Sequence, residues 1–153
     1  MKLLISACLL GTPCRYNAEA LKKINLYDFE LYPLCPEILG GFPTPRPPSE
    51  RQDKKVVNIR GEDVSEGFYL GAHAALDFMR KENIQMALLK ENSPSCGVRS
   101  IYDGSFTGRK IKGRGIFTEL LLENGYRVYS ENQIEILKEE LDEKKKKENQ
   151  SGP

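Results

Sequence analysis

Residues 85–97, QMALLKENSPSCG, join a short apolar run to a loop that contains a cysteine. A continuous apolar run of this length is typical of a β-strand covered on both faces, and KLLIS at residues 2–6 has the same character. FELYPL and YRVYS are also predicted to form strands. Helical spacing occurs between and after the strands, at residues 18–24, 63–81, 116–124 and after Ser130. This alternation predicts an α/β fold with a mainly parallel sheet flanked by helices.

Local signals mark the ends of several of these elements. Asp63 and Glu66 have capping-box spacing at the start of the long helix, and Ser130 and Gln133 have it at the start of the last one. Gly125 is a natural stop for the helix that precedes it. The prolines and glycines of ILGGFPTPRPPSER predict a long, stiff loop without regular structure. IYDGSFTGRKIKGRG predicts a hairpin or an ordered glycine-rich loop.

Length and charge limit the class of protein. The 153 residues fit one domain, assigned to residues 1–141, followed by a charged tail at residues 142–153 that is expected to be disordered. The formal net charge of +1 arises from 23 basic and 22 acidic residues, so no bulk field favours a polyanion or a membrane surface. The amino terminus lacks a secretory apolar core, and no stretch approaches the length of a membrane span. We therefore expect a cytoplasmic protein with no membrane partner.

The chain contains four cysteines, Cys8, Cys14, Cys35 and Cys96, and no C-x-x-C pair. The missing pair argues against a zinc ribbon and a thioredoxin-like redox pair. Cys8, Cys35 and Cys96 each follow a predicted strand by a few residues, and parallel α/β sheets bind ligands outside the carboxyl ends of their strands. Three thiolates on one rim can hold zinc or an iron–sulfur cluster with one position left open. Cys14 lies beyond a Gly-Thr-Pro turn and is interpreted as a non-ligand, although as a fourth ligand it would close the site.

Groups suited to acid–base chemistry lie next to these thiols in the sequence. Glu37 follows Cys35 by two residues, where desolvation and thiolate charge would raise its pKa. Ser93 and Ser95 precede Cys96 and offer hydroxyl donors. Each group also has an ordinary interpretation, a surface salt bridge for Glu37 and turn formation for the serines.

Three basic side chains carry weaker signals. Arg46 and Arg51 lie in the proline-rich segment. Each has two interpretations: it binds an anion or a loop carboxylate, or it is a solvated surface charge. His73, the only histidine, lies beside the apolar stripe of the long helix and is interpreted as a helix residue, not a ligand. Cys96 as a catalytic nucleophile therefore lacks an obvious histidine base.

Several motifs in one order resemble the DUF523 family, whose characterised members are thiouracil desulfidases. The motifs are ISACLLGTPCRYN, CPEILGGFPTPRPPSE, SPSCG with IYDGSFTG, and GRGIFTELLLENGYRVYSE, and they lie within residues 4–131. Asn17 stands where a common Asp-Gly turn is usual in the family, and Phe42 stands where Leu is usual. Neither position belongs to the predicted chemistry.

The resemblance implies a single Rossmann-like α/β domain that holds a [4Fe-4S] cluster by Cys8, Cys35 and Cys96, with the fourth iron free. In the family reaction that iron takes the sulfur of a thiolated pyrimidine, which gives a [4Fe-5S] intermediate, while water replaces sulfur at carbon without net redox change. Glu37 and one serine of SPSC, either Ser93 or Ser95, match the residues that help to protonate the base and activate the water. YDGSFTG is expected to cover the pocket.

The implied partner is a small thiolated pyrimidine, such as 2-thiouracil, which yields uracil and sulfide. A thiolated nucleoside or tRNA base, the fate of the sulfur and the oligomeric state all stay open, although nucleic acid itself is not the expected partner. Two alternatives remain: a zinc protein that uses all four cysteines, and a nucleotide- or RNA-binding module without desulfidase activity. The first predicts a colourless protein, and the second predicts salt-dependent binding that survives loss of the cysteines.

Overall fold

The computed structural model describes residues 1–17, 26 and 28–150. The helix predicted at residues 18–24 lies outside them. The described strands and helices, in chain order, are β1 (Lys2–Ser6), β2 (Glu30–Leu34), α1 (Pro36–Leu39), β3 (Ser49–Gln52), β4 (Lys55–Asn58), α2 (Ser65–Lys81), β5 (Met86–Leu89), β6 (Ser100–Tyr102), β7 (Lys110–Lys112), α3 (Ile116–Glu123), β8 (Arg127–Ser130) and α4 (Ile134–Gln150).

The centre of the fold, within the described residues, is a four-stranded sheet with the order β2-β1-β5-β8. All its pairs are parallel, and β1 runs in register with β2 from Lys2 opposite Glu30 to Ser6 opposite Leu34. The predicted strands at these positions are confirmed. Because parallel strands end at one edge, the segments that come after β1, β2 and β5 lie side by side there.

Helices cover both faces of the sheet, because the side chains of its strands alternate between two buried clusters. Leu4 of β1 packs in one cluster with Phe68 of α2 and Phe117 of α3. Leu3 packs in the other with Leu137 of α4. An apolar strand covered on both faces needs no polar alternation, which explains the continuous runs in the sequence. The predicted α/β class with a parallel sheet flanked by helices is confirmed.

The proline-rich loop predicted at residues 38–51 is shorter than expected, and its two ends are regular. α1 begins with Pro36, whose fixed φ suits the first turn of a helix. β3 begins at Ser49, just after the last proline of the segment, and pairs antiparallel with β4. The prediction of no regular structure was therefore wrong at both ends, since the prolines disrupt only the residues between Leu39 and Ser49.

The capping predictions had mixed outcomes. α2 begins at Ser65 instead of Asp63, with Val64 at the N-cap and no side-chain cap. Asp63 Oδ1 instead accepts hydrogen bonds from the N–H and the hydroxyl of Ser65, so the predicted capping box does not form. The capping box of Ser130 and Gln133 is confirmed. The hairpin predicted from IYDGSFTGRKIKGRG is also confirmed, as β6 and β7.

The carboxyl-terminal helix extends into the predicted tail. Leu141 is the last buried residue of α4, and the described side chains after it are exposed. Glu and Lys are strong helix formers, so they continue a helix already begun without needing core contacts. The domain boundary at residue 141 stays a prediction. Within the residues that the structure describes, no helix has both the length and the apolar character needed to cross a membrane.

Candidate functional site

A cavity of about 380 Å³ opens at the carboxyl edge of the sheet. It is lined by residues that come after β1, β2 and β5, by the proline-rich loop and by the loop between β6 and β7. Cys8, Cys35 and Cys96 all line it, and so does Cys14. The structure thus brings together the three cysteines that follow predicted strands, and it adds the fourth to the same cavity.

Regular backbone positions two of these thiols at strand ends. Cys8 lies in a short 3-10 turn, Ala7–Leu10, directly after β1. Cys35 is the N-cap residue of α1, directly after β2. Cys96 lies in the loop between β5 and β6. Because their backbone belongs to, or directly adjoins, secondary structure, Cys8 and Cys35 are held in place before any cofactor binds.

The thiols influence one another. A hydrogen bond with Cys35 lowers the pKa of Cys14, but a hydrogen bond with Cys8 and burial outweigh it, so the pKa of Cys14 is raised. The hydrogen bond with Cys14, and then burial, raises the pKa of Cys35 far above its ordinary value. Burial also raises the pKa of Cys96, against smaller opposing effects of hydrogen bonds with two serines. A cationic metal centre is what would convert such buried thiols to thiolates at neutral pH.

The cysteine thiols of the cavity suit an iron–sulfur cluster chemically. Across residues 1–17, 26 and 28–150, no three or more His, Cys, Asp or Glu side chains are arranged to hold one metal ion. In a cubane cluster each thiolate binds a different iron, so the ligands stand around a larger body than one ion. Thiolates are also the soft donors that such clusters use. The predicted three-cysteine set therefore fits the cluster chemically, and the four cysteines of the zinc alternative line the same cavity.

The loop that carries Cys96 is held from two sides. Ser93 Oγ accepts hydrogen bonds from the backbone N–H groups of Ser95 and Cys96, at 3.1 and 3.0 Å. The carbonyl oxygens of Pro94 and Ser95 accept hydrogen bonds from the N–H groups of residues 116–118 at the start of α3. A helix leaves its first N–H groups unpaired, so the loop and α3 stabilise each other.

The two candidate serines have different surroundings. Ser93 lines the cavity and hydrogen-bonds to the thiol of Cys96. Ser95 lies outside the cavity lining, is 1% exposed, and its Oγ hydrogen-bonds to no described residue. The sequence motif does not distinguish the two serines, whereas the path of the loop places Ser93 at the cavity and Ser95 outside its lining.

Glu37 lies at the cavity in a largely buried ion pair with Arg46. Glu37 Oε1 is 3.2 Å from both Nε and Nη2 of Arg46, and the two side chains are only 16% and 5% exposed. Arg46 also donates to the carbonyl oxygens of Pro43 and Cys14, so one guanidinium connects α1, the proline-rich loop and the loop that follows β1. Burial raises the pKa of Glu37, and the charge of Arg46 offsets only part of the effect. Of the two interpretations of Arg46, contact with a loop carboxylate is the one observed.

A polar network behind the cysteine loop was not predicted. Glu91 Oε1 accepts hydrogen bonds from the backbone N–H groups of residues 98–100, at 2.7, 2.8 and 3.0 Å. Burial alone would raise the pKa of Glu91, but these bonds outweigh it and leave the pKa below its ordinary value. Lys90 lines the cavity and pairs with Glu131 at 3.0 Å. Lys90 and Glu91 come directly after β5, so the position at a strand end that selected the cysteines also points to these two residues.

A family model of 2-thiouracil desulfurases matches residues 3–133 of the chain. The chain belongs to the 2-thiouracil desulfurase family. A similar protein, the uncharacterized protein YbbK of Bacillus subtilis (strain 168), is 42% identical over 147 residues, which cover 86% of this chain and 97% of that protein. The solved structure of the [4Fe-4S]-dependent thiouracil desulfidase TudS (DUF523Vcz) matches with a TM-score of 0.88 and 42% identity, over 92% of this chain and 97% of that one. The resemblance to the DUF523 family is therefore confirmed.

The other candidate residues of this member of the 2-thiouracil desulfurase family divide between the cavity and the rest of the surface. Arg51 pairs with Glu119 at 2.6 Å, so the carboxylate that it contacts belongs to α3. His73 borders a separate groove with Arg51 and lies outside the lining of the cysteine cavity. The loop of YDGSFTG, by contrast, brings Tyr102 and Phe106 to the cavity wall.

Proposed function

We propose that this chain is a [4Fe-4S]-dependent thiouracil desulfidase, which converts a small thiolated pyrimidine such as 2-thiouracil to its oxo form and sulfide. The observation that carries the proposal is the convergence of Cys8, Cys35 and Cys96 in one cavity at the carboxyl edge of the sheet. It occurs in a chain that is 42% identical to a thiouracil desulfidase of solved structure. The reaction exchanges sulfur for the oxygen of water, so it involves no net oxidation or reduction.

Cys8, Cys35 and Cys96 would hold the cluster, and Cys14 would remain a thiol beside it. When bound, the cluster supplies a Lewis-acidic iron with affinity for sulfur, which polarises the carbon–sulfur bond. Placement supports this division, since the three ligands come after three different strands, whereas Cys14 lies farther along the first loop. The hydrogen bond with Cys8 raises the pKa of Cys14, so the single thiol proton of Cys14 can be donated to the sulfur of Cys8 and stabilise the thiolate charge there.

Glu37 is the proposed proton carrier. Its burial at the cavity holds its pKa above that of an ordinary glutamate, which suits a group that must both hold and release a proton near neutral pH. Arg46 contacts Oε1, so Oε2 is the oxygen that can exchange a proton with a ring nitrogen or with water. The same ion pair keeps the carboxyl group in one orientation.

Ser93, and not Ser95, is the proposed hydroxyl donor of the motif. The oxygen of Ser93 already accepts two backbone N–H bonds, so its hydroxyl proton is the group it can donate, either to the sulfur of Cys96 or to a molecule in the cavity that it lines. Ser95 contributes through its carbonyl oxygen, which pairs with the start of α3. The hydroxyl of Ser93 would orient a water molecule or the departing sulfur.

The size of the cavity supports a small-molecule substrate. About 380 Å³ is near the lower end of the range for ligand pockets, and the cluster would take part of it, so the remaining space suits a small substrate such as a single pyrimidine ring. A base within tRNA would have to leave its stack to enter. The same proposal includes a cytoplasmic location, because free thiols at all four cysteines suit a reducing compartment. It also includes a Rossmann-like classification, because the site lies at the carboxyl edge of a parallel sheet.

The proposal is tested by anaerobic reconstitution with iron and sulfide, followed by the visible spectrum, iron and sulfide analysis, and chromatography of 2-thiouracil reactions for uracil. We expect a brown protein with about four irons per chain that releases equal amounts of uracil and sulfide. A colourless zinc protein would support the zinc alternative, and a brown protein inert toward 2-thiouracil would remove that substrate while leaving the cofactor.

Variants separate the roles of the cavity residues in the same experiment. Replacement of any one of Cys8, Cys35 or Cys96 by alanine is expected to abolish cluster loading. Cys14→Ala is the matched control, because it removes the same chemical group from the same cavity and should leave the iron content unchanged. Glu37→Ala should keep the cluster and lose turnover. A colourless Cys14→Ala protein would contradict the three-ligand assignment.

A further inference from the structure

One carboxylate attaches the loop between β6 and β7, residues 103–109, to the neighbouring strand β3. Glu50 Oε1 accepts hydrogen bonds from the backbone N–H groups of Gly104 and Phe106, at 3.0 and 3.2 Å. Gln52 Nε2 donates to the carbonyl oxygen of Gly104 at 2.8 Å. Gly104 has a φ of +93°, and a Cβ there would lie 2.6 Å from Gln52 Cγ, so the loop approaches the strand too closely for a side chain. The loop therefore has a defined conformation against β3.

Phe106 has an unfavourable backbone conformation within this loop. Its φ is +58°, in the left-handed region that bulky residues rarely adopt and that glycine adopts readily. The residue is half-buried and lines the cysteine cavity, together with Tyr102 at the end of β6. An aromatic residue kept in a strained conformation at a functional cavity indicates a role for its ring, because glycine would form the same turn without strain.

The cavity offers polar groups for the edges of a pyrimidine and aromatic rings for its faces. Glu37, Ser93 and Lys90 supply hydrogen-bonding groups and charge, which suit the ring nitrogens and the exocyclic atoms. The faces of the ring are apolar and need a flat partner. The aromatic side chains among the described lining residues are Tyr16, Tyr102 and Phe106. Phe106 is the one that combines a left-handed backbone conformation with a hydrogen bond from its backbone N–H to Glu50 of β3.

We propose that Phe106 stacks on the pyrimidine ring of the substrate and that Glu50 is the positioning residue that holds Phe106 at the cavity. This inference rests on the proposed function, since a planar heteroaromatic substrate is what an aromatic ring at this position would recognise. Stacking on an aromatic side chain tolerates different ring substituents, because every base has a π face. Phe106 would therefore bind substrate and product alike, and its loss would weaken binding more than it slows the chemical step.

The test measures binding of uracil, which lacks the sulfur and so reports the ring contact without turnover. Uracil is titrated anaerobically into the reconstituted enzyme and followed by ligand-detected NMR, and kcat and KM for 2-thiouracil are measured on the same samples. Phe106→Gly removes the ring and relieves the left-handed strain, whereas Phe106→Tyr keeps a ring. We expect Phe106→Gly to bind uracil roughly 5- to 100-fold more weakly, with a raised KM, a nearly unchanged kcat and an unchanged melting temperature. Phe106→Tyr should bind as the wild type does.

Glu50 is tested by a double-mutant cycle with Phe106. Glu50→Ala removes the acceptor of two loop N–H groups, and Glu50→Gln keeps an oxygen acceptor and should retain most of the affinity. If Glu50 acts through Phe106, Glu50→Ala costs no further affinity in a Phe106→Gly background. Additive losses would show that Glu50 touches uracil itself and would overturn its positioning role.

The outcomes distinguish this inference from the function on which it rests. A wild-type enzyme that binds uracil and converts 2-thiouracil, together with a Phe106→Gly variant of equal affinity, overturns the stacking alone. A wild-type enzyme that does neither overturns the proposed function and the stacking with it. A Phe106→Gly variant with lower affinity that Phe106→Tyr does not share supports the stacking.

Discussion

Replacing Glu91 by glutamine should destabilise the chain and loosen the loop that carries Cys96. One oxygen of the buried Glu91 carboxylate accepts three successive backbone N–H groups at the end of that loop, from residues 98–100. Glutamine keeps the length of the side chain and one oxygen acceptor, but it removes the negative charge. The substitution therefore tests the charge itself, with little change in packing.

The expected loss is set by the three hydrogen bonds. Bonds to a charged group contribute about 1.5–3 kcal/mol each and neutral ones about 1 kcal/mol, so the difference for three bonds is roughly 1.5–6 kcal/mol. Because the three donors share one oxygen, and because burial of the carboxylate opposes its contribution, we expect a loss near the lower end, about 2 kcal/mol. That is a substantial part of the ~5–15 kcal/mol that stabilises an ordinary domain.

The effect should depend on pH with a defined sign. Burial opposes ionisation of Glu91, but the backbone hydrogen bonds outweigh it, so the folded-state pKa lies below that of the unfolded chain. A group of this kind stabilises the folded state above its unfolded pKa and loses that contribution as the pH falls through its folded value. The difference between wild type and Glu91→Gln should therefore be largest near neutral pH and should shrink in acid.

Urea unfolding followed by circular dichroism, with both proteins freed of metal, measures this difference at neutral and acidic pH. Glu139→Gln is the matched control, because Glu139 is an exposed glutamate on α4 and should change the free energy of unfolding little. A Glu91→Gln protein as stable as the wild type at neutral pH would refute the reasoning. So would a difference that stays constant as the pH falls. Reconstitution should also give less cluster, since the loop delivers one of the proposed ligands.

Three further substitutions test other contacts of the site. Arg46→Lys should lower kcat by about 10- to 100-fold at unchanged iron content, because a single ammonium group cannot hold Glu37 and two loop carbonyl oxygens together. A variant with the kcat of the wild type would contradict the orienting role of Arg46. Ser95→Ala should leave turnover intact, and it should be neutral or stabilising by up to about 1 kcal/mol in urea unfolding, since it removes a buried hydroxyl that bonds to no described residue. Loss of turnover would identify Ser95 as the catalytic serine. Gly71→Ala should lower the free energy of unfolding by about 1–3 kcal/mol in the same assay, because its Cβ would lie 1.9 Å from the Pro36 carbonyl oxygen. An unchanged urea midpoint would show that α1 moves aside freely.

The outcome for the strand ends shows how far pattern reasoning reaches in this chain. Short apolar runs followed by cysteines place Cys8, Cys35 and Cys96 at one edge, because parallel strands all point the same way and the sheet aligns their ends. The hairpin of β3 and β4 was missed, since its sequence lacks an apolar run and lies next to prolines that suggest a loop. The start of α2 was misplaced because Asp63 bonds to Ser65 locally instead of capping the helix.

The sequence by itself determined the α/β class, the parallel sheet and the position of three cysteines at strand ends, because these depend on periodicity and on the residue types at the end of each strand. Only the tertiary structure distinguished the surroundings of Ser93 from those of Ser95, joined Glu37 to Arg46, and brought Glu50 to the loop of Phe106. Those contacts connect segments whose mutual distance and orientation depend on how loops fold back over the sheet. Spacing along a chain carries no information about such loop paths, since hydrogen bonds between distant residues set them.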